Sequence, residues 1–162
     1  MNSYEEAAKQ ENVGDLIQLV SFSLGDEEFG VHVLKVREII RMPEVTRVPN
    51  TPPYVEGVIN LRGKVIPVMS MRKRFGLEMQ DFDSRTRIMV MDVDGELMGF
   101  IVDAVSEVIR ISEEEIQPPP PVVSSGVDHE CLSGVISQSD RLLVLLDLEK
   151  VSSREDRKLL TI

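Results

Sequence analysis

The strongest constraint on the fold is an internal repeat. The segment Glu27–Ile40, EEFGVHVLKVREII, aligns without a gap with Glu96–Ile109, ELMGFIVDAVSEVI, at a spacing of 69 residues. Further along, GVINLRGKVIPVMSM aligns with GVISQSDRLLVLLDL, so that Gly57 falls on Gly134 at a spacing of 77. The larger spacing predicts a loop insertion of eight residues within PPPPVVSSGVDHEC. We therefore expect two similar modules in tandem.

Each copy begins with a pattern that is typical of a β-hairpin. The alternating runs LIQLVSFSL and TRIMVMDV are followed by the acidic turns Gly25-Asp26-Glu27 and Asp94-Gly95-Glu96. Alternation interrupted by Gly-Asp or Asp-Gly is a strong local signal for two paired strands. The residues 33–40 that follow in the first copy combine helical spacing with β-branched side chains. They predict a short helical turn that passes into a strand.

Two more strands after a proline-marked connection bring each copy to five, a number typical of a small barrel. The predicted fold is all-β: a single domain over 16–162, made of one barrel over about 16–80 and another over about 81–150. Short helices are expected in MRKRFGLEMQDF, ended by Gly76, and in the C-terminal DLEKVSSREDRKLLTI, whose residues 150–162 are expected to pack back on the first barrel. Residues 1–15 are polar and predict a flexible tail.

Composition narrows the class of function. The chain has 18 basic and 28 acidic residues, a net charge of −10, which opposes broad binding to nucleic acid or anionic membrane and favours basic partner surfaces. It has one cysteine and no run of about 20 apolar residues that could cross a bilayer. We expect a cytosolic protein without disulfides or membrane insertion, monomeric in isolation.

The motifs that suggest chemistry fail on inspection. DVDGE opens like a calcium loop, but Leu97 stands where that loop needs its sixth-position glycine. GVINLRGK has five residues between its glycines where a phosphate loop has four. We expect His32 and the single Cys131 to have no chemical role, and Arg72–Arg74 to form a solvated helix face. No catalytic residue, cofactor or metal is predicted, which leaves binding to other proteins as the main hypothesis.

The sequence GVINLRGKV places one arginine, Arg62, inside an apolar run that resembles a strand. Arginine is rarely buried without a partner, so this position needs a carboxylate or a ligand. Together with LGDEEFGVHVLKVREI, IVDAVSEV and TPPYVEGVINLRGKVIPVMSMRKRFGL, the motif closely resembles the CheW family of chemotaxis coupling proteins, over about residues 19–151. The resemblance implies two SH3-like barrels and a non-enzymatic adaptor. It would join the cytoplasmic tips of methyl-accepting chemotaxis receptors to the regulatory domain of the histidine kinase CheA.

The resemblance also implies a receptor-binding groove between the barrels. Arg62 would lie there in a partly buried site beside Glu38, and the groove lining is expected to include Val36, Gly57, Val105 and Val108. Two alternatives stay open: the Arg62 and Glu38 pair could simply tie two strands together, and the valines could be ordinary core. No residue is nominated for the kinase-binding face.

Two departures stand out against the repeat and the family pattern. Ser139 aligns with Arg62, which predicts an ion pair in one module only, and this asymmetry favours a function in binding. Ser70 stands where the family usually has an aspartate, whereas the second copy keeps Asp147. Competing interpretations are the regulatory domain of a CheV or CheA relative, a paralogue that serves a non-flagellar array, and a small enzyme with a hidden site between the barrels.

Overall fold

The computed structural model describes residues 16–120 and 129–152. It confirms the all-β prediction, with ten strands and only single turns of helix in these ranges. The strands are β1 Leu16–Leu24, β2 Glu27–His32, β3 Val36–Arg41, β4 Val55–Leu61, β5 Lys64–Ser70, β6 Arg87–Val93, β7 Glu96–Val102, β8 Ala104–Ser112, β9 Leu132–Gln138 and β10 Arg141–Leu146. The helical turns are α1 Met71–Arg74 and α2 Leu148–Val151, and 3-10 turns cover Val33–Lys35, Glu113–Glu115 and His129–Cys131.

Both predicted hairpins are confirmed. β1 pairs antiparallel with β2 across the turn at Gly25, and β6 pairs with β7 across Asp94 and Gly95. The φ angles of Asp94 and Gly95 are +55° and +86°, as a two-residue turn matched to strand twist requires. The predicted helical turn before the third strand is also present, as the 3-10 turn Val33–Lys35 that leads into β3.

The two sheets exchange their hairpins between the repeat copies. One sheet has the order β3-β6-β7-β5-β4, and the other has the order β8-β1-β2-β10-β9. Each sheet therefore combines the hairpin of one copy with the last three strands of the other. We call the first the middle barrel, since its strands cover residues 36–102, and the second the end barrel, since it joins both parts of the chain that flank them.

The predicted division into barrels at 16–80 and 81–150 is wrong for this reason. The link from β2 to β3 is one 3-10 turn, and the link from β7 to β8 is Asp103 alone. Neither link reverses the chain, so each hairpin runs on into the neighbouring sheet instead of folding back on its own copy.

Each sheet is closed toward a barrel by a short bridge between its two outer strands. In the middle barrel Thr46, beyond the end of β3, pairs with Val58 of β4. In the end barrel Gln117, beyond the end of β8, pairs with Val135 of β9. Val58 and Val135 are repeat equivalents, so the closure is repeated along with the strands.

Most strands bury both faces, which explains apolar runs such as RIMVMDV and LLVLL. One face lines the interior of the strand's own barrel: Ile88 and Val90 of β6 do so in the middle barrel, and Leu143 and Leu145 of β10 in the end barrel. The other face joins the largest apolar cluster, here called the seam core, which contains residues of both barrels. Its members include Phe22, Phe29, Met69, Phe75, Met89, Met91, Met98, Phe100, Val144 and Leu146.

The predicted helices are confirmed only as single turns. α1 covers Met71–Arg74, and Gly76 follows it with a φ of +71°, the left-handed conformation that often ends a helix. α2 covers Leu148–Val151, and the predicted remainder of the C-terminal helix lies outside the described residues, as does the predicted N-terminal tail. In the part of the chain that is described, no helix has the length and apolar character needed to span a bilayer.

Candidate partner-binding site

Arg62 lies at the tip of the β4–β5 hairpin. Leu61 pairs with Lys64, so Arg62 and Gly63 form a two-residue turn, with φ angles of +51° and +85°. The Asn60 side chain accepts a hydrogen bond from the Gly63 amide at 2.8 Å and fixes this turn. The expectation of a partly buried Arg62 is wrong, because a turn residue projects beyond the sheet and 72% of its side chain is exposed.

Glu38 of β3 holds the Arg62 guanidinium with two parallel hydrogen bonds. The Nη1 group donates to Oε1 at 2.9 Å, and Nη2 donates to Oε2 at 2.5 Å. The hydrogen bonds from Arg62, and after them its positive charge, lower the pKa of the Glu38 carboxyl below its ordinary value. An exposed ion pair contributes little to stability. Its effect here is to fix the direction of an exposed guanidinium.

The end barrel carries a related pair, so the prediction that the pairing exists in one module only is wrong. Glu107 of β8, the repeat equivalent of Glu38, accepts a hydrogen bond from Arg141 Nη2 at 2.8 Å. Arg141 lies two residues beyond Ser139, at the start of β10, and its Nη1 group donates to Glu28 at 3.0 Å. The two sites differ in geometry: Arg62 is fixed by one carboxylate with both oxygens, whereas Arg141 is shared between two.

Two of the predicted groove residues are packing positions. Val36 is only 4% exposed and belongs to the seam core. Gly57 has a φ of +148°, and a Cβ atom built on it would lie 2.0 Å from the carbonyl oxygen of Thr46. Glycine is needed there because the closing bridge of the middle barrel passes directly over it. Both residues therefore have a structural reason that is independent of any partner.

The other two predicted residues lie on β8 of the end barrel. Val105 is half-buried and packs against the seam core, while Val108 is 46% exposed. Val108 is thus the predicted groove valine that offers the most apolar surface to a partner. The structure brings Arg62 and Glu38 together within the middle barrel and places Val105 and Val108 in the other barrel.

A buried ion pair that the sequence did not suggest lies where the chain crosses between barrels. Arg72 of α1 is 8% exposed, and its Nε and Nη2 groups donate to the two oxygens of Asp103 at 2.8 and 2.6 Å. Asp103 also accepts a hydrogen bond from the Gly25 amide at 2.8 Å. Burial acts to raise the pKa of the Asp103 carboxyl, but the hydrogen bonds from Arg72 and Gly25 lower it below its ordinary value.

Arg74 at the end of α1 also contacts the end barrel. Its Nε group donates to the carbonyl oxygen of Val151 at 2.7 Å, and Nη2 donates to the Cys131 sulfur at 3.4 Å. The guanidinium lies 5.8 Å from the centre of the Tyr54 ring, within the range of a cation–π contact. The predicted solvated face of Arg72–Arg74 is therefore wrong, since Arg72 and Arg74 both reach across the seam between the barrels.

Ser70 performs the local role that an aspartate would have at this position. Its side-chain oxygen accepts a hydrogen bond from the Lys73 amide at 3.2 Å and caps α1. Asp147, its repeat equivalent, caps α2 by accepting from the Glu149 amide at 3.1 Å. Serine and aspartate are both favoured at this capping position, so the departure from the family pattern preserves the helical turn.

One signal in the sequence could have revealed Asp103. In the repeat it aligns with Leu34, so an acid replaces an apolar residue where the chain otherwise resembles its own copy. No comparable signal marks Arg72, because two neighbouring basic residues conceal which one is buried. Across residues 16–120 and 129–152 the structure contains no cluster of three His, Cys, Asp or Glu side chains arranged to hold a metal ion.

Comparisons with known proteins agree on one family. The family model described as CheW-like domain matches residues 18–156. The chain is 36% identical to chemotaxis protein CheW of Helicobacter pylori, over 91% of this chain and 88% of that protein. It is 37% identical to chemotaxis protein CheW of Treponema pallidum, over 88% and 86%. Among solved structures, the scaffolding protein TtCheW from Thermoanaerobacter tengcongensis superposes with a TM-score of 0.79 at 36% identity, over 86% of this chain and 90% of that one.

Proposed function

Because the chain belongs to the CheW family, we propose that it is a non-enzymatic scaffold that couples chemoreceptors to the histidine kinase CheA. It would act on the cytoplasmic side of the membrane, binding the receptor tips with one surface and the regulatory domain of the kinase with another. The relatives named above are chemotaxis proteins, and one solved relative is described as a scaffolding protein. The proposal carries that role over to this chain.

The proposal that this chain binds receptors rests on one observation: the guanidinium of Arg62 is exposed and its orientation is fixed by Glu38. A guanidinium has five N–H donors, and Glu38 takes two of them. The others remain available to acceptors on a partner, and their direction is set before binding, which lowers the entropy lost on association. A lysine or an unpaired arginine would offer the same charge without that geometry.

Val108 supports the same proposal with apolar surface. A receptor helical hairpin would place apolar side chains at helical spacing into a hydrophobic groove. This chain would therefore need exposed apolar residues in addition to its polar anchors. Val108 is 46% exposed on a strand that otherwise presents polar and charged side chains such as Ser106 and Glu107. We propose Arg62 and Glu38 as the polar anchor and Val108 as an apolar contact, with the half-buried Val105 on the same strand as a second apolar residue.

Calorimetric titration tests the proposal directly. The protein would be titrated with a receptor cytoplasmic fragment and, separately, with the CheA regulatory domain. Each titration would use the natural chain, Arg62→Ala, and the matched control Arg141→Ala, which removes the related arginine of the end barrel. The expected result is that both partners bind the natural chain and that Arg62→Ala weakens receptor binding at least about tenfold while kinase binding stays the same.

The control distinguishes a specific site from general charge. Arg141→Ala removes the same formal charge and also breaks an exposed ion pair, so it is expected to leave receptor binding unchanged. Equal loss of receptor affinity in both variants would show that net charge, and not the Arg62 site, governs the interaction. Absence of binding of the folded natural chain to either partner would overturn the scaffold proposal itself.

A further inference from the structure

The chain crosses between the barrels twice, and an ion pair holds each crossing. The first crossing is the 3-10 turn Val33–Lys35, and the second is Asp103. Lys35 contacts Glu149 of α2 at 3.0 Å, and Asp103 contacts Arg72 of α1. Arg72 and Glu149 are repeat equivalents, each the second residue of its helical turn. The same arrangement therefore occurs at both crossings with the charges reversed.

The two ion pairs differ in burial. The side chains of Lys35 and Glu149 are 41% and 38% exposed, whereas those of Arg72 and Asp103 are 10% and 27% exposed. A charge pair near the surface is weakened by water and salt, whereas a partly buried pair is screened less, and an arginine that contacts both oxygens of a carboxylate fixes the geometry of the contact. Only the pair at the second crossing has a largely buried arginine and this two-pronged contact.

Arg72 also forms hydrogen bonds with other segments of the chain. Besides Asp103, it donates to the carbonyl oxygen of Glu78 at 2.5 Å and to the side chain of Gln80 at 3.2 Å, both in the segment that joins the repeat copies. Through Asp103 it reaches Gly25, in the β1–β2 turn of the end barrel. One guanidinium thus fixes α1 of the middle barrel, the linker, the crossing and a turn of the end barrel in a single arrangement.

The apolar part of the seam does not define that arrangement equally well. Five of the chain's eight methionines lie in the seam core: Met69, Met71, Met89, Met91 and Met98. Methionine side chains are flexible and repack with little cost, and apolar burial has no preferred direction. The packing of the seam core is therefore less directional than the two-pronged contact between Arg72 and Asp103.

We propose that Arg72 is a positioning residue that selects one relative orientation of the two barrels by locking the crossing at Asp103. Apolar packing in the seam core stabilises the contact between the barrels, and the Arg72 and Asp103 pair fixes their relative orientation. This inference goes beyond the proposed function, because it concerns the geometry of the chain itself. It holds whether or not the chain couples receptors to a kinase.

Distance measurement between spin labels tests the proposal on the isolated protein. Val65 of the middle barrel is 66% exposed and Leu142 of the end barrel is 54% exposed, so Val65→Cys and Leu142→Cys give one label on each barrel. The buried Cys131 is replaced by serine in every sample. Pulsed electron–electron double resonance then measures the distribution of distances between the two labels. Chemical denaturation shows whether each variant is folded.

The test variant is the double substitution Arg72→Met and Asp103→Leu, which leaves no buried charge unpaired and gives Asp103 the residue found at its repeat equivalent. We expect a folded protein with a distance distribution about twofold broader than that of the labelled parent, or with a second peak. The reason is that the crossing at Asp103 is no longer fixed by the contact with Arg72. The matched control, Lys35→Met with Glu149→Leu, removes the exposed pair and is expected to keep the single narrow peak.

Three outcomes would overturn the proposal. The first is an unchanged distribution in a folded double variant, which would mean that the seam core alone sets the orientation. The second is equal broadening in the control. If the double variant does not fold, Arg72→Lys replaces it: this variant keeps the charge but loses the two-pronged contact, and a folded Arg72→Lys protein with the narrow peak of the parent would be the third contrary outcome.

Discussion

Replacing Gly57 by alanine is expected to disrupt the closure of the middle barrel. The added Cβ atom would lie 2.0 Å from the carbonyl oxygen and 2.7 Å from the carbonyl carbon of Thr46. These are backbone atoms that cannot rotate away. The same carbonyl accepts a hydrogen bond from the Val58 amide at 2.8 Å, and the Thr46 amide donates to Val58 at 2.9 Å. The substitution therefore acts on both bonds of the closing bridge.

The magnitude follows from two contributions. Loss of two backbone hydrogen bonds costs roughly 2 kcal/mol, at about 1 kcal/mol each. Holding a non-glycine residue at the φ of +148° seen at Gly57 costs about a further 1–3 kcal/mol. The free energy of unfolding should thus fall by about 4 kcal/mol, a large part of the ~5–15 kcal/mol that stabilises an ordinary domain.

Gly95→Ala is the matched control. Gly95 also has a positive φ, +86°, but a Cβ atom there meets nothing within 4 Å, so only the backbone strain remains, about 1–2 kcal/mol. Urea unfolding followed by circular dichroism measures both variants. Similar losses in the two variants would refute the argument from the Thr46 contact. A Gly57→Ala protein that keeps its stability but loses receptor binding would instead assign Gly57 to the partner-binding site.

Three further predictions follow from the polar contacts. Ser70→Ala removes the cap of α1 and should lower the free energy of unfolding by about 1 kcal/mol in urea titrations; no change would show that the cap is dispensable. Asp103→Asn leaves Arg72 without its carboxylate and should cost about 3 kcal/mol at neutral pH. Because the folded-state pKa of Asp103 is lowered, this difference should shrink as the pH falls below about 4, and a loss that is constant from pH 7 to 3 would contradict the assigned ion pair. Arg141→Ala breaks only exposed contacts with Glu107 and Glu28, so it should change stability little at any salt concentration, and a large loss would show that the pair closes the end barrel.

The sequence was sufficient to predict the elements that depend on local signals. The turns at Gly25 and at Asp94-Gly95 and the helical turn before β3 all follow from residue types in adjacent positions. The repeat predicted two five-stranded units because the two copies share the same pattern of strands. These features need no knowledge of which distant segments pack together.

The exchange of hairpins could not be predicted from the repeat. Because the two copies are similar, a hairpin could join the last three strands of its own copy or those of the other copy, and the sequence pattern fits both arrangements. One clue is visible in retrospect. The links HVLKV and VDAV contain no glycine or proline, so nothing in them favours a reverse turn back onto the same copy. The burial of Arg72 likewise depends on the crossing geometry and not on its neighbours in sequence.

For Arg62 the ion-pair partner was predicted correctly and the burial of the side chain was predicted wrongly. The resemblance to the CheW family implied Glu38 as the carboxylate partner of Arg62, and the structure contains that pair. The apolar run that contains Arg62 is interrupted by the turn at Arg62 and Gly63, however, and the positive φ of a non-glycine residue cannot be read from the strand pattern. The guanidinium is consequently exposed, which suits contact with a partner better than burial would.

The most direct test of the scaffold proposal is a sedimentation assay that contains membranes bearing chemoreceptors, the CheA regulatory domain and increasing amounts of this protein. The account predicts that little kinase domain sediments without the protein and that the sedimented amount rises to a plateau as the protein is added. With Arg62→Ala the rise should need at least about tenfold more protein, although the variant still binds the kinase domain in solution. Sedimentation of the kinase domain that is the same with and without the protein would contradict the central claim.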